Sequence, residues 1–287
     1  MKNIKHFFEF LIISILFLVF KIIGYSNASN LGNLIGKNIG PRFRSKKVIK
    51  ENIKNFKPSI TNDEINKITR DMWGNYGRIL AEYVYIPKFR KKKLENYLRI
   101  EGLDNLEQIK KNKKPTIFVS GHFNNFELMA MIIEREGINL SAVYRPLNNK
   151  FLNILMEFLR KNYICKNQIK KGIKGLRQAL VCFKKGESLA IMIDQRVSEG
   201  IKIKFFGKDA FTTTIPGQFV KKFGCIIQPV YIERIDGVHF KIVFDEHLIF
   251  EQNQNIENIS LKLNQWLEKK IIENPNQWIW SHNRWKL

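Results

Sequence analysis

His122 follows the apolar run Thr116–Ser120 and Gly121, and Glu127 stands five positions further on. Histidine changes charge near neutral pH. A carboxylate on one ring nitrogen fixes the tautomer and leaves the other nitrogen to accept a proton. If Glu127 opens a helix, the helix dipole favours its carboxylate in the first turn, and that turn can fold it back towards the imidazole. His122 is then a general base and Glu127 its orienter. Ser120 lies inside the apolar run, so the spacing points to a nucleophile supplied by the substrate, as a hydroxyl. Histidine and glutamate meet at this spacing often by chance. The strand-to-helix context and Gly121 tip the reading towards chemistry. Two further polar clusters follow apolar runs, Tyr144–Asn149 with Arg145 and Asn148, and Asp194-Gln195-Arg196. Arg145 has the planar fork that binds phosphate bidentately, or pairs with a local carboxylate.

The elements that must position these groups alternate in type. Thr116–Ser120, Leu140–Tyr144 and Ser188–Ile193 read as buried strands. Phe126–Glu136, Asn149–Tyr163, Ile173–Lys184 and Thr214–Phe223 read as helices, several stopped by glycine. Cys225–Ile235 and His239–Leu248 read as strands joined by Asp236-Gly237, a hairpin signal. Ile256–Ile272 is an amphipathic helix, and residues 62–85 form a helix capped by Thr61 or Asn62. This alternation means an α/β fold with a mostly parallel central sheet. Ligands bind such sheets at the carboxyl ends of their strands, where all three polar clusters fall. Residues 111–287 are expected to form this core and residues 26–110 a helical N-terminal extension.

Residues 7–20 are apolar apart from Glu9 and Ser14, with Lys2 and Lys5 before and Lys21 after. The run suits a retained membrane anchor over residues 1–25, spanning or interfacial, a cleaved signal, or a buried helix. The basic stretch Arg42–Lys57 favours the cytoplasmic side, facing anionic lipid. With 49 Lys+Arg against 26 Asp+Glu, the chain carries a net charge of +23, which suits a polyanionic partner. The three cysteines form no C-x-x-C pair, which excludes a disulfide framework and a cysteine-based zinc site. A basic binding protein without catalysis is the alternative from another class. The basic residues carry no nucleic-acid motif, so no nucleic-acid partner is expected.

Five motifs occur in order: Gly121-His122-x4-Glu127; Tyr144-Arg145-Pro146-x-Asn148; Asp194-Gln195; Phe205-Phe206-Gly207 with Thr212–Thr214; and Trp278-x-Trp280-x-His282-x-Arg284-Trp285-Lys286. Together they resemble the lipid A biosynthesis lauroyl/myristoyl acyltransferases, over about residues 1–287. The resemblance implies a glycerophosphate-acyltransferase-like fold and a late acyltransferase of lipopolysaccharide biosynthesis at the cytoplasmic face of the bacterial inner membrane. Such an enzyme transfers an acyl chain from acyl carrier protein to a 3-hydroxyacyl hydroxyl of an anionic lipid A precursor, without cofactor or metal. It casts His122 as the base and Glu127 as the group that orients and charge-stabilises it, with Arg145, Asn148, Lys170, Asp194 and Gln195 on the substrate side. Lys170 and Lys171 stand where the family often has Arg, Asn283 where Arg is common, and Trp285 where Phe is common. His282 and Arg284 are expected to pack the aromatic tail rather than to act in catalysis. A related HX4(D/E) acyltransferase acting on glycerophosphate or an ornithine lipid is the rival within enzymes.

Overall fold

The computed structural model describes residues 2–286. The apolar run forms one helix, α1 (Lys2–Ile23). Gly24, at φ +84°, lets the chain turn into α2 (Tyr25–Ile39), and α3 (Lys46–Phe56) follows. α4 (Asn62–Glu82) starts at a capping box: the Thr61 hydroxyl accepts from the Glu64 N–H, and the Glu64 carboxylate accepts from Thr61. That exchange satisfies two donors a helix start would otherwise leave open. α2 and α4 cross at Gly32, Gly36 and Gly77. A Cβ on Gly77 would lie 1.9 Å from the Gly32 carbonyl oxygen, so only glycine lets the two backbones meet there.

After α5 (Ile86–Arg90), β1 (Leu98–Glu101) and α6 (Leu103–Asn112) comes the alternating core, in which the expected strands and helices appear with shifted ends and β4, β6 and β7 are additions. Its elements are β2 (Ile117–Ser120), α7 (Glu127–Arg135), β3 (Leu140–Tyr144), α8 (Lys150–Leu159), β4 (Asn167–Lys170), α9 (Ile173–Lys184) and β5 (Ser188–Met192). A hairpin of β6 (Ile201–Phe205) and β7 (Lys208–Thr212) precedes α10 (Ile215–Phe223), β8 (Ile227–Ile235), β9 (His239–Phe244) and α11 (Ile256–Glu273). The helix expected to reach Tyr163 ends at Leu159 and continues as a π-helical turn over Arg160–Ile164.

Seven strands make one sheet in the order β1-β9-β8-β2-β5-β3-β4. All neighbours run parallel except β8 and β9, which form the hairpin read from Asp236-Gly237. The protein is therefore α/β with a mostly parallel sheet flanked by helices. The segment before residue 110, read as helical, also supplies the edge strand β1, paired to β9. The centre of the sheet is β2, between β8 and β5. Its residues are all buried, so the loop that leaves it towards α7 has a rigid base.

Candidate functional site

The parallel register of β2 and β5 pairs Ser120 with Met192. Two residues further along each chain, His122 and Asp194 face one another. Asp194 is fully buried and binds His122 twice: Oδ2 accepts the backbone N–H at 2.7 Å, and Oδ1 lies 2.8 Å from ring Nδ1. The Trp278 indole donates to the same Oδ2 at 2.9 Å. Burial alone would raise the Asp194 pKa. The His122 charge and these hydrogen bonds outweigh it and hold the carboxyl below the usual aspartate range. A charged Asp194 keeps the proton on Nδ1, which leaves Nε2 as the acceptor in the cavity the imidazole lines.

The carboxylate on the imidazole is thus Asp194, and the expected Glu127–His122 pair is not the one formed. Glu127 does open α7 as expected. Its Oε1 takes Arg160 Nε at 2.9 Å and Nη2 at 2.5 Å, and the Tyr83 hydroxyl at 2.5 Å. The physical reason is charge: a guanidinium fork is a stronger partner for a buried carboxylate than an imidazole already held by another acid. Burial works against the Arg160 charge, and Glu127 and Tyr83 more than restore it, so its pKa is raised. Burial first, then the Glu127 charge, pushes the Tyr83 phenol well up. Arg160 Nη1 is buried without a hydrogen-bond partner among the described residues, while the residue lines the same cavity as His122. Buried cationic donors are seldom left unpaired, and this one is within reach of a group that enters the cavity.

A network on the far side fixes the loop between β2 and α7. Glu82 binds Arg234 through Nη1 at 2.6 Å and Nη2 at 3.1 Å, and also accepts from Ser29 and Asn125. Asn124, at φ +42°, donates to the Ile232 carbonyl and to Gln277. Phe126 packs edge-on against the His122 ring, 4.9 Å between centroids.

The cavity holds about 960 Å³. Arg44, Arg145, Lys171, Arg196 and Lys286 give it a strongly basic part. A second part is apolar: Phe118 and Val143 from the sheet, Met129, Ala130 and Ile133 from α7, and Ile164 from the π turn. A wall of this make-up solvates hydrocarbon, while the arginines and lysines match phosphate.

Among the sequence-derived candidates, His122, Glu127, Arg145 and Gln195 line this cavity together. Three others do not. Asp194 is fully buried with both oxygens engaged by protein groups, and it meets the site through His122. Asn148 is exposed in the loop before α8. Lys170 is exposed at the end of an edge strand, its Nζ 3.4 Å from Glu157, and the next residue, Lys171, turns into the cavity instead. Side chains alternate along a strand, which separates the two lysines.

The sequence does not point to Arg160 or Tyr83, and it places Trp278 in a motif without a part at the site. Arg160 and Tyr83 carry no local signal. Trp278 belongs to the aromatic tail, whose packing was foreseen: Trp278 and Trp280 are buried, and Arg284 donates to the Phe211 carbonyl and the Thr212 hydroxyl. His282 lines the cavity, and its Nε2 accepts the Arg196 backbone N–H at 2.9 Å.

The model of one family, described as bacterial lipid A biosynthesis acyltransferase, matches residues 2–287. Among curated relatives, a lipid A biosynthesis lauroyltransferase of Escherichia coli K12 is 25% identical over 98% of this chain and 92% of its own length. A lipid A biosynthesis palmitoleoyltransferase of the same strain is 24% identical over 89% of this chain and 84% of its own. A lipid A biosynthesis acyltransferase of Shigella flexneri matches to the same extent as the palmitoleoyltransferase.

Proposed function

This chain belongs to the bacterial lipid A biosynthesis acyltransferase family, and on that footing we propose that it moves a fatty acyl chain from acyl carrier protein to a 3-hydroxyacyl hydroxyl of a lipid A precursor. The observation that carries the reading is the His122–Asp194 pair, with its imidazole in a cavity that basic and apolar side chains line together. The acyl chain of the donor lies in the apolar part, and the phosphates of the acceptor meet Arg145 and its basic neighbours.

His122 Nε2 takes the proton of the acceptor hydroxyl as its oxygen attacks the thioester carbonyl carbon. Asp194 stabilises the imidazolium that forms. The carbonyl oxygen gains negative charge, and Arg160 Nη1, kept in place by Glu127 and Tyr83, donates to it. The tetrahedral intermediate collapses as the carbon–sulfur bond breaks, and the imidazolium returns its proton to the departing thiolate. The product is an acyloxyacyl ester and the free thiol of the carrier. Glu127 acts through Arg160 as a positioning residue. A placed base contributes about 10²–10⁴-fold, and a fixed oxyanion donor about 10²–10³-fold. The net charge of +23 suits both an acidic carrier protein and a phosphorylated lipid. The reaction takes place at the cytoplasmic face of the inner membrane.

The test is a panel of acceptors offered to the membrane-bound enzyme with labelled acyl carrier protein thioesters. Transfer to a tetra-acylated lipid A precursor supports the reading. Transfer only to glycerophosphate or to an ornithine lipid would replace it.

A further inference from the structure

α1 is long and apolar enough to cross a bilayer, yet it does not stand away from the domain. A stripe at helical spacing, from His6 through Phe10, Ile13 and Phe17 to Phe20, is turned inwards and Phe20 is fully buried. The fold holds this stripe at both ends. The Tyr85 hydroxyl donates to the Phe20 carbonyl at 2.6 Å. The Asn149 amide donates to the His6 carbonyl at 2.8 Å and to the Glu9 carboxylate at 3.0 Å. Glu9, the acid that fits a bilayer worst, is therefore bound on the domain side. The stretch from His6 to Phe20 rises roughly 21 Å, most of the ~30 Å hydrocarbon thickness. If it spanned, the loop before α8 would have to enter the hydrocarbon beside it, and irregular backbone exposed to lipid is not tolerated there.

α8 extends the same surface. Phe151 meets Phe7 edge-on at 5.6 Å and Phe10 at 6.1 Å. Phe151, Ile154 and Phe158 form one apolar face at helical spacing, Ile154 69% and Phe158 56% exposed, and Leu147 in the loop before the helix is exposed as well. A cleft of about 470 Å³ between the two helices is lined almost wholly by apolar side chains. Exposed Lys150 and Lys161 bracket the face, the arrangement of a helix lying at an anionic lipid surface. α8 also follows Tyr144 and Arg145, which line the His122 cavity.

We propose that α1 and α8 lie side by side in a single leaflet as one monotopic membrane face, with α1 not crossing the bilayer and lipid acyl chains covering both helices and the cleft between them. This inference rests on α1 being the membrane attachment, and it commits that attachment to a geometry. The His122 cavity then opens beside the leaflet, so an acceptor lipid reaches the imidazole by lateral diffusion.

The test uses the full chain with Cys182→Ser, the other two cysteines being buried, in sealed phosphatidylcholine–phosphatidylglycerol vesicles. Single cysteines are placed by Asn3→Cys, Ile12→Cys, Ile154→Cys and, as an exposed site away from the membrane face, Ile249→Cys. The expected result has three parts. An impermeant maleimide added outside labels positions 3 and 249 to the same extent. An environment-sensitive fluorophore at 12 or 154 shifts to the blue and is quenched by acyl-chain nitroxide lipids. The same fluorophore at 249 stays aqueous. Protection of position 3 wherever 249 reacts means a spanning helix and overturns the proposal. Position 154 in water with 12 in lipid overturns the part of α8 and leaves α1 as the attachment. Both in water removes the attachment as well. Energy transfer between labelled copies at 154, without nitroxide quenching, makes the face a self-interface and also overturns the proposal.

Discussion

Asparagine at position 194 keeps the shape of the acid and removes its charge. Its effect follows from the hydrogen bonds already made. Oδ2 accepts from two N–H groups that cannot reverse, His122 N at 2.7 Å and Trp278 Nε1 at 2.9 Å. The single carbonyl oxygen of asparagine must therefore stay at the Oδ2 position. Its amide nitrogen is then left opposite His122 Nδ1, where Oδ1 sat at 2.8 Å. Nδ1 has to accept, so the imidazole proton moves to Nε2, the nitrogen needed to take the hydroxyl proton. The base is lost although the ring has not moved. The loss equals the worth of a placed general base, about 10²–10⁴-fold in kcat, or about 2.7–5.4 kcal/mol at 1.36 kcal/mol per decade. Steady-state kinetics of Asp194→Asn on lipid vesicles should show that fall with little change in KM for donor or acceptor. His122→Ala should fall by a similar amount, and the double variant little further, because the two act as a unit. A kcat for Asp194→Asn within about threefold of wild type would refute the assignment of tautomer and base.

Gly77→Ala should destabilise the fold, because the new methyl carbon lands 1.9 Å from the Gly32 carbonyl oxygen. Overpacking of this kind costs about 1–3 kcal/mol, and thermal unfolding should show it at roughly 2–4 °C per kcal/mol. Ala130→Phe fills the apolar part of the cavity and should move donor preference towards shorter acyl chains. The discrimination is roughly fourfold per displaced methylene, from about 0.8 kcal/mol each, read by competition between thioesters of different length. Burial pushes the His282 imidazole down to about 4. Its unfolded counterpart takes a proton near pH 6.5, so the unfolded state gains protons first as the solution is acidified. Stability should therefore fall between about pH 6.5 and 4, by on the order of 1–2 kcal/mol after allowance for its partial exposure. His282→Gln should flatten that limb of the midpoint-against-pH curve, and an unchanged limb would count against the assignment.

What could be read in the sequence, and what could not, divides along physical lines. β2, β3 and β5 were legible because they are buried runs of apolar residues, and α9 because glycines flank it on both sides. β1 and β4 were not, since both are short, half-buried edge strands with mixed polar sequences, Leu-Arg-Ile-Glu and Asn-Gln-Ile-Lys. The β6–β7 hairpin hid behind its surface charges; its Phe206-Gly207 turn, both at positive φ, was noted only as a motif. His122 was found from its place between strand and helix. Its carboxylate was sought nearby, in Glu127, because helical spacing makes near neighbours visible. Asp194 is 72 positions away and becomes a neighbour only through the register of two parallel strands. Its own position after β5 was the one available clue. Arg160 leaves no clue of that kind, because a π turn at the end of α8 brings it to Glu127.

In the proposed mechanism His122 carries out acyl transfer to a lipid A precursor by activating the hydroxyl directly. The measurement that tests it is single-turnover transfer from labelled acyl carrier protein thioester to a tetra-acylated precursor, with wild type and His122→Ala side by side. The account predicts acyloxyacyl product from wild type, a fall of about 10²–10⁴-fold in the variant, and no label on the protein when the acceptor is withheld. Transfer that persists at the wild-type rate in His122→Ala, or label that accumulates covalently on the chain, would contradict it.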